Sequence, residues 1–170
     1  MSIFYADRYF ERFEDVTPEI LGAEKVQLLL CDLDNTLKVR RDTEPEENLR
    51  KWVNSCKNAG IKIVVISNNG KKRKIQRFCR PLGIECVWWA KKPMRTKLTE
   101  VRLKYDFPKV GTVMLGDKWS TDVLAAKFAG IRAWKVEHRK SILTEAEKGR
   151  KKEDFREYKQ QKKEAKSEKK

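Results

Sequence analysis

The stretch Val26-Gln27-Leu28-Leu29-Leu30-Cys31-Asp32-Leu33-Asp34-Asn35-Thr36-Leu37 decides how the chain reads. Its first residues are mostly apolar and unbroken by turn formers, the pattern of a strand buried on both faces. Two aspartates follow where that strand ends. Residues two apart in an extended chain project to the same side. Asp32 and Asp34 therefore point together, and Leu33 turns into the core. Carboxylates this close repel one another, and a divalent cation, a shared proton or both must relieve them.

Working outward, four more apolar runs read as strands, at residues 61–66, 84–88, 110–115 and 131–136. Amphipathic segments at 45–59, 71–79, 93–105 and 122–129 read as helices between them, with Gly60 and Gly130 as stops and Thr121 as a cap. Strands alternating with helices at this spacing predict βαβ units: an α/β three-layer sandwich around a five-stranded parallel sheet. Ligands of such sheets bind beyond the carboxyl ends of the strands. Residues 1–17 read as an aromatic arm, packed on the domain or lying in a lipid interface, carrying Phe4, Tyr5, Tyr9, Phe10 and Phe13. Thr17-Pro18-Glu19 then looks like a short helix start, with Thr17 as cap and Pro18 at the first position. The domain proper spans 18–138, and 139–170 reads as a basic tail, partly helical or disordered.

The chain has 170 residues, enough for one domain with its own core. Its formal net charge is +15, and the segment 139–170 holds 13 Lys/Arg against 7 Asp/Glu, so the body is basic as well as the tail. That balance points to anionic partners: a phosphorylated substrate, an anionic membrane surface or nucleic acid. Cys31, Cys56, Cys79 and Cys86 form no Cys-x-x-Cys pair and have only His138 to join them, which argues against a zinc site and fits a reducing compartment. The first ten residues lack the pattern of a signal peptide. No apolar run approaches the roughly 20 residues of a membrane span. The expectation is a cytoplasmic protein, soluble or peripheral to a membrane.

The polar residues at the predicted strand ends form a consistent set. Strand one ends in Asp32, Asp34 and Thr36. Strand two ends in Ser67 and Asn68. Lys92 follows strand three, and strand four ends in Asp117 with Asp122 five residues on. Carboxylates for a hard cation, with a hydroxyl, an amide and an ammonium for phosphoryl oxygens, make up the inventory of phosphoryl transfer. Taken singly, each motif reads more simply as a turn, a surface lysine or a first-turn carboxylate. The ordered set, all at one rim, does not. A receiver-type signalling domain uses similar groups, but its phosphorylated aspartate ends the third strand and lacks a second aspartate two residues on.

These motifs resemble those of haloacid dehalogenase (HAD) phosphatases, and more narrowly subfamily IIIA of YqeG type. Asp-Leu-Asp-Asn-Thr-Leu at 32–37, Ser-Asn-Asn at 67–69, Pro-Leu-Gly-Ile at 81–84, Ala-Lys-Lys-Pro at 90–93 and Gly-Asp-Lys-Trp-Ser-Thr-Asp at 116–122 carry the resemblance. It implies a HAD-like Rossmannoid fold and an Mg²⁺-dependent phosphomonoesterase. Asp32 resembles the nucleophile that forms an aspartyl-phosphate. Asp34 resembles the general acid, with its backbone carbonyl facing the metal. Thr36 resembles the residue that steadies the loop at the substrate. Ser67 and the amide of Asn68 would bind the phosphoryl group, and Lys92, favoured over Lys91, would neutralise it. Asp117 would hold Mg²⁺ with Asp32, and Asp122 would orient that shell or Lys92. Neither gap where a cap domain is inserted is long enough to hold one. The resemblance also implies phosphatidylglycerophosphate as substrate, a reading that the basic residues Lys38, Arg40 and Arg41 and the basic helix at 71–77 fit. A soluble nucleotide or sugar phosphate is the alternative. A protein that binds RNA or an anionic surface through its tail is the alternative of another class, although the tail offers few aromatic residues for stacking.

Overall fold

The computed structural model describes Ile3 and residues 5–167. Among these residues a single six-stranded, wholly parallel sheet runs in the order β1-β6-β5-β2-β3-β4. The strands are β1 (Arg8–Phe10), β2 (Leu28–Cys31), β3 (Lys62–Ile66), β4 (Glu85–Val87), β5 (Thr112–Gly116) and β6 (Arg132–Val136). β2 lies at the centre, paired on one side with β3 and on the other with β5. The strand that leads into the two aspartates therefore has both of its edges paired.

Alternation along the strands builds two cores. Leu29, Cys31, Ile63, Val65, Val113 and Leu115 face one layer, formed by α1 (Pro18–Ala23), α2 (Glu47–Asn58) and α3 (Lys72–Cys79). Leu28, Leu30, Val64, Ile66 and Met114 face the other, formed by α4 (Thr96–Lys104) and α5 (Leu124–Ala129). Both helix layers are needed because a parallel sheet has no face fit for water. Cys31, Cys56 and Cys79 are buried core residues, and all four thiols are free.

The sheet has six strands where the sequence predicted five. The additional strand, Arg8–Phe10, falls in the segment whose sequence reads as an arm; Phe4 of that arm lies outside the described residues. Three residues cannot display a period, and Tyr9 and Phe13 four apart mimic a helix face. What places β1 is tertiary: it pairs parallel with β6, and Phe10 stacks on Trp134 at 5.4 Å between centroids. Tyr9 stays exposed on this edge.

Two further differences bear on the site. The helix expected from residue 93 begins at Thr96, leaving residues 91–95 as a loop. The helix expected from Asp122 is preceded by a π-helical turn, Trp119–Val123, so Thr121 lies inside that turn and caps nothing. Such turns recur at functional sites because they re-aim side chains. Thr17 does cap α1, accepting from the Ile20 amide at 3.3 Å. After β6 come α6 (Arg139–Ile142) and the long α7 (Glu145–Ser167). Lys151 of α7 is tied to Asp42 at 2.8 Å and Glu46 at 2.6 Å, and the Arg41 guanidinium stacks on Phe155 at 5.4 Å. No helix among the described residues is long and apolar enough to cross a membrane.

The segment before α1 is tied to the body by Phe13. It is fully buried, packs edge-on against Trp52 at 5.1 Å, and lies under Arg139 at 4.5 Å. Trp52 Nε1 donates to the Val16 carbonyl at 2.8 Å. We expect Phe13→Ala to destabilise the domain by about 3–5 kcal/mol, read as a lower urea midpoint.

Candidate active site

The candidate residues come together at the carboxyl ends of β2, β3 and β5. β2 stops at Cys31, and Leu33 anchors the loop beyond it in the core. Asn35 then adopts a left-handed conformation, φ 69°, which asparagine tolerates better than most residues. The chain doubles back so that the Asn35 amide donates to the Lys38 carbonyl at 2.6 Å. This turn delivers the Lys38 side chain to Asp34. The sequence places Lys38 with Arg40 and Arg41 as basic residues that fit an anionic substrate, but only 3% of Lys38 is exposed. Its ammonium meets Asp34 Oδ1 at 2.8 Å, donates to the carbonyls of Val39, Arg40 and Asp42, and faces the Phe78 ring at 5.4 Å. Asn69 Nδ2 donates to the other Asp34 oxygen at 3.3 Å. Neither Lys38 nor Asn69 was legible as a site residue, because each acts only through the fold of its loop.

Lys92 is the central cation. It is buried, and its Nζ donates to Asp32 Oδ1 at 2.7 Å and to Asp122 Oδ1 at 2.6 Å. Its backbone is fixed by Asn68, whose side chain accepts from the Lys92 amide at 2.7 Å and donates to its carbonyl at 2.9 Å. Asn68 thus serves the site through its amide side chain, a link between strand ends that spacing alone does not reveal. Lys91, the other lysine of the step, is exposed. Ser67 is buried, and its hydroxyl accepts from the Asn69 amide at 3.1 Å. Thr36 sits beneath the carboxylates, its hydroxyl within reach of Asp32 Oδ2 at 3.2 Å and Asp117 Oδ1 at 3.3 Å.

Asp32, Asp117 and Asp122 each present an oxygen within 4.8 Å of the others. The Asp34 side chain, held by Lys38 and Asn69, is outside that group. Three buried carboxylates against one buried ammonium leave an excess of two negative charges, the charge a divalent cation balances. The hard oxygen donors suit such an ion. Lys92 engages one oxygen each of Asp32 and Asp122, and the Lys118 amide takes the other Asp122 oxygen at 3.0 Å, which leaves Asp117 and Oδ2 of Asp32, met among the described residues only by the Thr36 hydroxyl, as the freer donors. Burial, reinforced by Asp122 and Asp34 and opposed by Lys92, pushes the Asp32 carboxyl up to about 6. Burial also raises Asp117, with Asp32 adding to the effect. For Lys92, burial works against the charge, but Asp32 and Asp122 outweigh it and hold the ammonium above the usual lysine range.

Gly116 makes the arrangement possible. A Cβ there would stand 2.3 Å from the Asp122 carboxyl carbon. The strand end must be bare for Asp122 to lie across it and reach Lys92. Over the site opens a cavity of about 300 Å³, lined among others by Asp32, Asp34, Ser67, Lys92, Arg40 and Lys118. Only loop connects β2 to α2 and β3 to α3, and the pocket stays open to solvent.

Comparison with known proteins agrees with this geometry. The HAD-hydrolase-like family matches residues 89–156, which include Lys92, Asp117 and Asp122 and reach into α7. Probable phosphatase YqeG of Bacillus subtilis (strain 168) is 32% identical over 129 residues, covering 76% of this chain and 74% of that protein. The chain belongs to the HAD-like phosphatases of subfamily IIIA, YqeG type. It is a phosphoric monoester hydrolase of that superfamily. Among solved structures, an uncharacterized protein from Listeria monocytogenes serotype 4b is similar with a TM-score of 0.54, 20% identity, and coverage of 64% of this chain and 78% of that one. The cobalt-bound deoxy-D-mannose-octulosonate 8-phosphate phosphatase of Haemophilus influenzae is similar with a TM-score of 0.51, 18% identity, and coverage of 64% and 66%. At these identities the likeness is one of fold.

Two outcomes follow for this HAD phosphatase. Gly116→Ala displaces Asp122 and with it Lys92, and is expected to lower kcat by about 10²-fold with the fold retained, measured by steady-state phosphate release beside a thermal melt. The second concerns pH in EDTA. Because the folded state holds the Asp32 carboxyl above the unfolded value of 3.8, it binds more protons than the unfolded chain between about pH 4 and 6. Stability contributed by Asp32 therefore falls as pH rises through that window. Asp32→Asn should lessen that decline, giving a flatter profile of stability against pH than the wild type in urea titrations at each pH.

Proposed function

We propose that the enzyme hydrolyses its phosphomonoester through an aspartyl-phosphate on Asp32, with Mg²⁺ as the cation. The observation that carries the reading is the Lys92 ammonium, held between Asp32 and Asp122 beneath an open pocket. A carboxylate fixed on one side by an ammonium presents its other oxygen lone pairs to an incoming phosphorus without rotating away. Ser67, the Asn68 amide and Lys92 take the phosphoryl oxygens, and Thr36 steadies Asp32 and Asp117 from below.

In the first step an Asp32 oxygen forms a bond to phosphorus while the bond from phosphorus to the ester oxygen breaks. Asp34 delivers a proton to that oxygen, and the alcohol leaves. In the second step Asp34 takes a proton from water as the water oxygen attacks the same phosphorus. The acyl–phosphate bond breaks, phosphate leaves and Asp32 is regenerated. Two easier displacements replace one hard one. Lys38 and Asn69 fix Asp34 by both oxygens, so the proton is exchanged from a defined position. Asp32 and Asp117 would hold Mg²⁺, which supplies positive charge where two anions must meet.

For the substrate we propose phosphatidylglycerophosphate. The resemblance to the YqeG type, the open pocket and the basic side chains of Arg40 and Lys118 at its rim support that reading. So does the exposed indole of Trp89 on the loop next to Lys92, since tryptophan favours membrane interfaces.

The test is phosphate release from the full chain with phosphatidylglycerophosphate in micelles, nucleotides and sugar phosphates, each with Mg²⁺ and with EDTA. We expect the lipid phosphate to be hydrolysed with Mg²⁺ and not with EDTA, and Asp32→Asn to lose at least about 10³-fold in kcat. A fully active Asp32→Asn protein sinks the mechanism. Turnover of a soluble ester without the lipid sinks the substrate.

A further inference from the structure

A second concavity adjoins the catalytic pocket. Its volume is about 650 Å³, and it shares Asn35 and Arg40 with the pocket, so the two are continuous at these residues. One wall is the loop after β2, through Val39, Arg40 and Arg41. The other is the C-terminal segment, through His138, Lys140, Leu143 and three lysines of α7. No carboxylate lines it.

The cations of this groove fall into two kinds. Lys151 is neutralised by Asp42 and Glu46, Lys148 pairs with Glu145 at 2.7 Å, and Arg41 lies against Phe155. Those contacts pin α7 to the body. Arg40, Lys140 and Lys152 have no ion pair among the described residues, and all three are exposed. Elsewhere lysines such as Lys97 and Lys104 meet a glutamate. A concave surface of unpaired like charges repels itself, and it focuses a positive field on whatever enters. Val39 and Leu143 add an apolar strip beside them.

We propose that this groove is a second anion subsite, occupied by a further phosphate on the alcohol portion of the same substrate. The substrate class is then a phosphomonoester whose leaving alcohol carries a second phosphate, as a diester or a monoester. The assignment rests on the catalytic reading above, because the first phosphate must sit over Asp32. The groove lies on the side of the pocket where Arg40 is shared, so one guanidinium reaches toward both phosphates. A nucleic-acid strand suits it less well, since no Phe, Tyr or Trp lines it to stack successive bases.

The experiment separates this subsite from catalysis. Asp32→Asn protein, which retains Lys140 and Lys152, is titrated calorimetrically with glycerol 3-phosphate, with a nucleoside 3′,5′-bisphosphate, and with the deacylated glycerophosphoglycerol phosphate headgroup. At least one doubly phosphorylated ligand should bind tenfold or more tighter than glycerol 3-phosphate, and the tighter of the two identifies a soluble or a lipid source. Adding Lys140→Gln and Lys152→Gln should erase that preference by roughly tenfold. In wild-type protein the same pair of changes should lower the ratio of kcat/KM for the bisphosphate over the monophosphate. Preferential binding in a protein that turns over no ester retains the subsite and removes only the catalytic reading. Equal affinities for one and two phosphates, or a preference that survives both substitutions, overturn the subsite. Binding of single-stranded RNA with no preference for bisphosphates overturns it in favour of a nucleic-acid surface.

Discussion

The site depends on one buried ammonium. Lys92 stands between Asp32 and Asp122 within 2.7 Å of each, and without it three carboxylates would share one strand-end cavity. Removing a partner from such a pair leaves an uncompensated buried charge, which costs far more than the pair itself contributes. The surrounding structure is arranged to keep Lys92 in place. Asn68 fixes its backbone from the neighbouring strand, Gly116 clears the way for Asp122, and the loop of residues 91–95 interrupts what would otherwise be helix.

A second buried lysine repeats the device for the other carboxylate. Lys38 is satisfied by three backbone carbonyls and Asp34, so its charge is spread over a closed shell. The two aspartates of the first motif thus face two separate lysines. Asp32 is turned toward the carboxylate cluster and Asp34 toward its own loop. That division gives chemically identical groups two different environments, the usual means by which one site obtains two roles from two carboxylates.

Much of this was written in the sequence because it is local. The strands are apolar runs of recognisable length, and Asp32, Ser67 and Asp117 each sit at the end of one, so the ordered motifs disclosed both the sheet and its working rim. What escaped depends on tertiary neighbours. The Arg8–Phe10 strand is too short to carry a period and is defined by Trp134 far along the chain. Lys38 reads as a basic residue for an anionic substrate until the Asn35 turn folds it inward onto Asp34. The backbone amide of Asn68 is legible as a phosphoryl donor, but its side-chain clasp on Lys92, like the clearance that Gly116 gives Asp122, shows only when the strand ends meet. The wall that α7 gives to the groove rests on Lys151, Asp42 and Glu46, three residues with no signature of their own.

The position of β1 has a consequence for how the chain assembles. Among the described residues its sole strand partner is β6, so the first strand of this sheet in chain order pairs with the last. The pairs β2–β3 and β3–β4 join strands close in sequence, whereas residues 8–10 must wait for residues 132–136. Contacts of such long sequence separation form late and carry the largest loop-closure cost. During synthesis the aromatic segment that ends in Phe13 therefore stays without its sheet edge until nearly the whole domain has been made, and the closing of that edge marks the completed fold.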